Sequence, residues 1–141
     1  MEPTESIARK VFAEVAVRFP NLQIIEEQNP NVEISIVLPI QAGLKQEVWL
    51  GLNSDELCFA VDHFNLEWFP CTSPERVSAY IEAVSGFLSG EYRIVEYYRK
   101  AKCVKAHLQA PSNDEWKTIG TWQTIRLFSF AKHSIRIVRN D

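Results

Sequence analysis

The chain has 141 residues, of which 46% are hydrophobic and 23% are charged, and its net charge is −3 at pH 7. This length and balance predict a single folded domain over 1–141 and exclude a disordered or fibrous chain. No apolar run approaches the ~20 residues of a membrane helix, and the first ten residues are mostly polar. We therefore expect a cytoplasmic protein that makes no membrane contact.

The first predicted element is a helix from Thr4 to about Phe19. Thr4 can cap its start, and Pro20 ends it because proline has no backbone N–H to donate. Apolar residues recur every four positions along this segment, at Ile7, Val11, Val15 and Phe19. This spacing places them on one side of a helix, which should therefore be buried.

Four strands are predicted next, in two hairpins. Residues 22–28 and 32–38 are rich in β-branched side chains and flank the turn signal Asn-Pro-Asn. Residues 46–52 and 56–62 form the second pair around Asn-Ser-Asp. Apolar residues alternate along both strands of this second pair, which predicts that one face of the hairpin is buried.

The second predicted helix has the clearest boundary signals in the chain. An aromatic connector is expected over 64–71, after which Ser73 is a helix N-cap and Pro74 suits the first helical position. Gly90 follows the last position of the apolar periodicity, as is typical of helix ends. These signals predict a helix over 74–89.

The remaining residues predict four more strands. Two are expected over 91–98 and 102–108, a polar loop extends through 109–122, and a last hairpin pairs 123–130 with 134–138. One helix followed by four strands thus occurs twice, in halves of about 1–70 and 71–141. We predict an α+β fold with two helices and mostly antiparallel sheet, and the element order further suggests an internal pseudo-repeat.

Charge is distributed unevenly between the two halves. Residues 1–70 hold 4 Lys and Arg against 11 Asp and Glu, a net charge of −7, whereas residues 71–141 hold 11 against 7, a net charge of +4. Such an asymmetry is compatible with attraction between the halves, with head-to-tail association of two copies, or with an anionic partner.

The sequence contains no recognisable catalytic or metal-binding motif. Asp62 and His63 are neighbours on a predicted strand, so their side chains should point to opposite faces and form no acid–imidazole pair. By parity, His63 ends the inward row of that strand and Asp62 points outward. The three histidines lack zinc-site spacing, and no glycine-rich phosphate loop occurs. We predict no catalytic, cofactor-binding or metal-binding residues and no cofactor.

The cysteines are expected to be reduced thiols. Cys58, Cys71 and Cys103 show no CxxC spacing. Cys71 lies two residues before the cap Ser73, and a helix N-terminus can stabilise a reactive thiolate. The alternative, a small buried hydrophobe, is favoured because Phe69 and Pro70 precede this cysteine.

Aromatic and basic residues supply the candidate contact surface. Trp49 has the opposite parity to the apolar residues of its strand, and the other tryptophans are expected in connections, where exposed rings could bind a protein. Tyrosines alternate with arginine and lysine over 92–105, a pattern that can also bind single-stranded nucleic acid. The candidate contact residues are Trp49, Phe64, Trp68, Phe69, Tyr97, Tyr98, Arg99, Lys102, Trp116 and Trp122.

Three functions are compatible with these features. The leading expectation is a non-enzymatic protein that acts by protein–protein contact, as an adaptor, a chaperone or an immunity protein would, with a protein partner or by self-association. One alternative is a ligand-binding protein or enzyme with a pocket between the halves, lined by Asp62, His63, Glu67, Tyr97 and His107. The other is a single-strand nucleic-acid binder that uses the basic half, which the negative net charge disfavours.

Overall fold

The computed structural model describes residues 2–124 and 134–141. These ranges contain two helices and two antiparallel sheets, of five and four strands, so the predicted α+β class is confirmed. The elements in chain order are α1 (Thr4–Arg18), β1 (Ile25–Glu27), β2 (Ile34–Leu38), β3 (Val48–Asn53), β4 (Glu56–Val61), β5 (Phe64–Trp68), α2 (Pro74–Leu88), β6 (Arg93–Arg99), β7 (Lys102–Ser112), β8 (Glu115–Gln123) and β9 (Ser134–Arg139).

Both helices occur where the sequence predicts them, but their N-termini differ. In α2, the Ser73 hydroxyl accepts a hydrogen bond from the backbone N–H of Arg76, and Gly90 takes a positive φ of 82° just beyond the end. The cap predicted for α1 is wrong, because Pro3 precedes the first helical residue Thr4 and no side chain caps this end. The buried stripe of α1 instead fixes its position on the core, through Ala8, Val11, Phe12 and Val15.

The first sheet is a five-stranded meander in the order β1-β2-β3-β4-β5. Its inward side chains, such as Leu50, Leu52 and Phe59, have no exposed surface and pack against the helices. The connector predicted over 64–71 is wrong, because Phe64–Trp68 forms β5 and pairs with β4. Asp62 and His63 make the two-residue turn between these strands, and Asp62 adopts φ 54°, which a short polar side chain tolerates.

The second sheet has the order β8-β7-β6-β9. The polar loop predicted over 109–122 is wrong, because β7 and β8 form one long hairpin around Asn113 and Asp114, whose φ angles are 50° and 67°. These values suit a tight two-residue hairpin turn. The strand predicted over 134–138 is confirmed, whereas the one predicted over 123–130 lies, apart from its first two residues, outside the described residues.

The internal repeat is not confirmed. The first half has a five-stranded meander, while the described strands of the second half place β9 beside β6 and β8 at the far edge. The two sheets also meet directly, since the side chain of Leu66 on β5 lies against Gly120 on β8, where a Cβ atom would approach it to 2.6 Å. A larger residue on β8 at this position would therefore require the Leu66 side chain to shift.

Asn140, at the end of the chain, connects three parts of the fold. Its side-chain amide donates to the backbone oxygens of Gly43 and Leu88 and accepts from the N–H of Lys45. The side of each sheet that turns away from the shared core is called its outer face below. Neither helix in the described part of the chain is long and apolar enough to cross a membrane.

Candidate interaction surfaces

The outer face of the second sheet carries only positive charges. Residues that alternate with the buried Ile94, Leu108 and Val138 point outward, and the strand register places them side by side. No Asp or Glu occupies an outward position in the strands β6 to β9 as described. This surface is called the basic face, and its charged members are Arg93, Arg99, Lys102, Lys105 and Arg139.

Cations of the basic face lie on aromatic rings. The guanidinium carbons of Arg93 and Arg139 lie 4.2 and 5.3 Å from the centre of the Trp116 ring. Lys105 Nζ lies 4.6 Å from the centre of the Tyr97 ring. Such contacts orient the charged groups along the face without neutralising them. In the chain as described, Arg93 and Lys105 form no salt bridge, whereas Arg139 lies 3.7 Å from the Asp141 carboxylate.

The pKa of His107 responds in part to the positive charge of the basic face. Its ring packs edge-on against Tyr97 at 5.3 Å, and its Nδ1 lies 2.8 Å from the Thr121 hydroxyl. Burial, with a further contribution from the charge of Lys105, lowers the pKa of His107 below its usual 6.5. Protonating this histidine would add a further cation to a surface that already repels one.

An exposed apolar strip borders these cations. Ile135 and Ile137 on β9 are 61% and 46% exposed, and they lie beside Tyr97 and Val95 on β6. These isoleucines were not among the predicted contact residues. Their outward orientation follows from the pairing of β6 with β9, two strands that are separated by about forty residues of sequence.

The outer face of the first sheet has the opposite charge. Glu27, Glu56 and Glu67 point outward from β1, β4 and β5. No Lys or Arg occupies an outward position in any of the strands β1 to β5. This surface is called the acidic face. Trp49 lies near its centre, donates its indole N–H to the Glu27 carboxylate at 3.0 Å and covers Gly51.

The glutamates of the acidic face repel one another. Burial, reinforced by the charge of Glu56, raises the pKa of Glu67 above its usual value. Burial also raises the pKa of the nearby Cys58 thiol to about 11, with contributions from Glu67 and Glu56. Within residues 2–124 and 134–141, none of the three outward glutamates forms a salt bridge. No cation in this part of the chain therefore forms an ion pair with them.

A third polar feature lies where the β4–β5 turn meets β6 and β9. Glu96 is fully buried and accepts hydrogen bonds from the Tyr98 hydroxyl at 2.8 Å and from Arg136 at 3.3 Å. Arg136 also binds Asp62 at 2.7 Å. The prediction that Asp62 and His63 cannot meet is wrong, because they form a turn instead of extended strand, and His63 Nε2 lies 3.8 Å from Asp62 Oδ1.

This cluster is best explained as an internal ion-pair network. Asp62, His63 and Glu96 each bring one potential metal ligand within 4.8 Å of the others. However, the Arg136 guanidinium already occupies the position between the two carboxylates and balances the buried Glu96. Contact with Tyr98, followed by the charges of Asp62 and Glu96, raises the pKa of Arg136. The geometry thus supplies the cation from within the chain.

The structure separates the aromatic residues singled out in the sequence. Tyr97, Arg99, Lys102 and Trp116 belong to the basic face, and Trp49 belongs to the acidic face. Phe64 and Trp68 are buried in the core and Trp122 packs partly against it, whereas Phe69 is 54% exposed. Tyr98 binds the buried Glu96.

The pocket suggested between the halves is not assembled by the described residues. Glu67 lies on the acidic face, while Tyr97 and His107 lie on the basic face. Asp62 and His63 occupy the turn beside Glu96. Cys71 is buried, and burial and the charge of Asp55 raise the pKa of its thiol, so its environment does not favour a thiolate.

The two charged faces are therefore the candidate interaction surfaces of this protein. Comparison with known proteins adds no family assignment: no family model matches the chain, and no curated protein or solved structure matches it significantly.

Proposed function

We propose that this protein is non-enzymatic and acts by protein–protein contact, with its basic face binding an acidic protein surface. The observation that carries this proposal is the basic face itself, which combines five outward cations, ring-stacked arginines and two exposed isoleucines. Arginine, tryptophan and tyrosine provide much of the binding energy in protein interfaces. An apolar strip beside ordered cations supplies both burial and charge recognition.

The like charges of the basic face also support a partner. Arg93 and Arg139 are directly paired across β6 and β9, and like charges in that position destabilise a sheet. An anionic partner would remove this repulsion when it binds. The stability that the free protein loses to this repulsion is therefore recovered when a complex forms.

An acidic protein suits this face better than a single-stranded nucleic acid. Single-strand binding relies on open aromatic rings that stack on bases. Here the chain's own cations cover a face of Trp116 and a face of Tyr97. Ile135 and Ile137 fit the apolar side chains of a protein, and the net charge of −3 opposes binding to a polyanion.

Site-specific photo-cross-linking in the cells that express the protein tests this proposal. A photoreactive phenylalanine derivative replaces Ile137 on the basic face, and the matched control places it at Val17, an exposed residue of α1. We expect protein adducts from position 137 that are protease-sensitive and at least about tenfold more abundant than those from position 17. Adducts that nuclease removes would overturn the proposal, and so would equal yields at both positions.

A further inference from the structure

Resting on the proposed function, we infer that the acidic surface bound by the basic face is the acidic face of a second copy of this chain. The contact is head to tail: the outer face of the second sheet of one copy covers the outer face of the first sheet of the next. The strand register sorts the outward charges of the two sheets by sign.

Charge complementarity between the two faces is complete in the described strands. Every charged outward position in β6 to β9 is Arg or Lys, and every one in β1 to β5 is Glu. An ordinary solvent-exposed sheet mixes both signs, because opposite-charge neighbours stabilise it. Segregation of this kind costs stability within one copy. That stability is recovered when the opposite faces of two copies meet.

The electrostatics of single residues support the same conclusion on both faces. Burial raises the pKa of Glu67, and the like charge of Glu56 on the same face raises it further. Burial lowers the pKa of His107, and the charge of Lys105 on the basic face lowers it further. On each face, therefore, groups of like charge lie close enough to affect one another, and the sign is opposite on the two faces.

One copy cannot satisfy both of its own faces. The two sheets share a core through Leu66 and Gly120, and their outer faces both point away from it. Pairing must therefore occur between copies. Because the two surfaces differ, the contact is heterologous and leaves one unused face at each end, so that assembly extends beyond a dimer or closes into a ring.

The apolar centres of the faces are also suited to contact each other. The acidic face presents Trp49 and the 46%-exposed Ile25, and the basic face presents Ile135 and Ile137. Burying these side chains contributes roughly 25 cal/mol per Å² of apolar surface. Charge then sets the orientation and the apolar residues add affinity.

Sedimentation of two neutralised variants tests the inference. E56Q/E67Q disables the acidic face and R93Q/K105Q disables the basic face. We expect the wild-type chain to associate at low salt and to dissociate at about 0.5 M salt, where charges are screened within a few Å. Each variant alone should associate at least about tenfold more weakly, which corresponds to 1.4 kcal/mol.

Mixing the two variants distinguishes head-to-tail contact from a symmetric dimer. Each variant retains one intact face, so an equimolar mixture should form a 1:1 dimer that grows no further. The control E5Q/E14Q removes the same charge from α1 and should associate like the wild type. Circular dichroism and thermal unfolding confirm that the variants fold. A wild-type chain that stays monomeric at all concentrations, or a mixture without the dimer, would overturn the inference.

The two proposals can fail separately. If the wild-type chain is monomeric but the probe at position 137 still captures a different protein, the second-copy partner is wrong and the proposed function stands. If the probe captures no protein, the proposed function is wrong. Capture of this chain itself at position 137, with attachment to residues of β1 to β5, supports both.

Discussion

The outer faces of the two sheets carry charges of opposite sign, and each face uses a tryptophan to hold its charged groups in place. Both are antiparallel surfaces with a tryptophan among charged side chains. Trp49 uses its polar edge and donates the indole N–H to Glu27, whereas Trp116 uses its negative ring face and accepts the guanidinium groups of Arg93 and Arg139. One residue type can therefore hold either a carboxylate or a cation in place, depending on which part of the ring it presents.

The inner faces differ in a second way. The inward rows of the first sheet are apolar, with Leu50, Leu52 and Phe59 fully buried, whereas the second sheet buries the carboxylate Glu96. A buried charge needs polar partners, and Arg136 on the neighbouring strand β9 and Tyr98, two residues along β6, provide them. The second sheet thus depends on long-range polar contacts where the first depends on packing.

The largest expected effect is at Asn140, which follows β9 and binds the backbone between β2 and β3 and at the end of α2. Asn140→Ala removes three hydrogen bonds that join the end of the chain to Gly43, Lys45 and Leu88. We expect the free energy of unfolding to fall by about 3 kcal/mol, because each lost bond costs about 1 kcal/mol and buried groups stay unsatisfied. Urea unfolding measures this loss, and the exposed Asn65→Ala on β5 should stay within about 0.5 kcal/mol of wild type.

The next effect should come from the ion pair that neutralises the buried Glu96 of the second sheet. Arg136→Met leaves the buried Glu96 without its cation, and we expect a loss of about 2 kcal/mol, below the range for fully buried pairs because Arg136 is half exposed. The double variant E96Q/R136M should recover most of this loss. The matched change in the first half, Arg9→Met, breaks only exposed pairs and should cost less than about 0.5 kcal/mol. Equal losses for R136M and R9M would contradict the difference between the sheets.

The two tryptophans should respond differently to the same substitution. Trp49→Phe keeps an aromatic ring but loses the N–H bond to Glu27, so we expect a loss of about 1 kcal/mol. Trp116→Phe keeps a ring face for the arginines and should cost less than about 0.5 kcal/mol. Denaturant unfolding of both variants under one set of conditions checks the order, and the reverse order would show that the rings are not held as described.

The smallest expected effect is an opposite response of the two faces to pH. The pKa of Glu67 is raised, so the folded state binds the proton of this carboxyl group more tightly than the unfolded state does. The contribution of Glu67 to the free energy of unfolding is therefore lost as pH rises above 4.5. The pKa of His107 is lowered, so this group loses stability as pH falls below 6.5. Relative to wild type, Glu67→Gln should raise the free energy of unfolding at pH 7 but not at pH 3. His107→Gln should raise it at pH 5 but not at pH 8. Stability curves that run parallel to wild type across these ranges would show that neither group is coupled to its face.

Helix α2 shows how far local sequence can predict this fold. Ser73, Pro74 and Gly90 act within a few residues of the backbone groups that they satisfy, so the helix appears where they place it. Strand β5 and the β7–β8 hairpin were missed because their turns, Asp62-His63 and Asn113-Asp114, contain no glycine, although Asp62, Asn113 and Asp114 adopt positive φ. Such turns depend on the pairing of the flanking strands as much as on their own residues.

The candidate surfaces show a similar boundary. The residues around Tyr97 and Lys102 were predicted to be a basic aromatic stretch, and they do lie on one face of β6 and β7. The partners that complete that face, Ile137 and Arg139 on β9, could not be located because no local pattern pairs β6 with β9.

Composition, helix caps and strand alternation in the sequence were enough to specify the α+β class, α2 and the opposite charges of the two halves. These features act over one turn of helix or one strand, so they can be read locally. Tertiary structure alone decided that the charges separate onto two outer faces and that Asp62 meets Arg136 and Glu96. The physical reason is that strand pairing and burial bring together residues that are distant in sequence, and a shift of one residue would turn each outward charge toward the core.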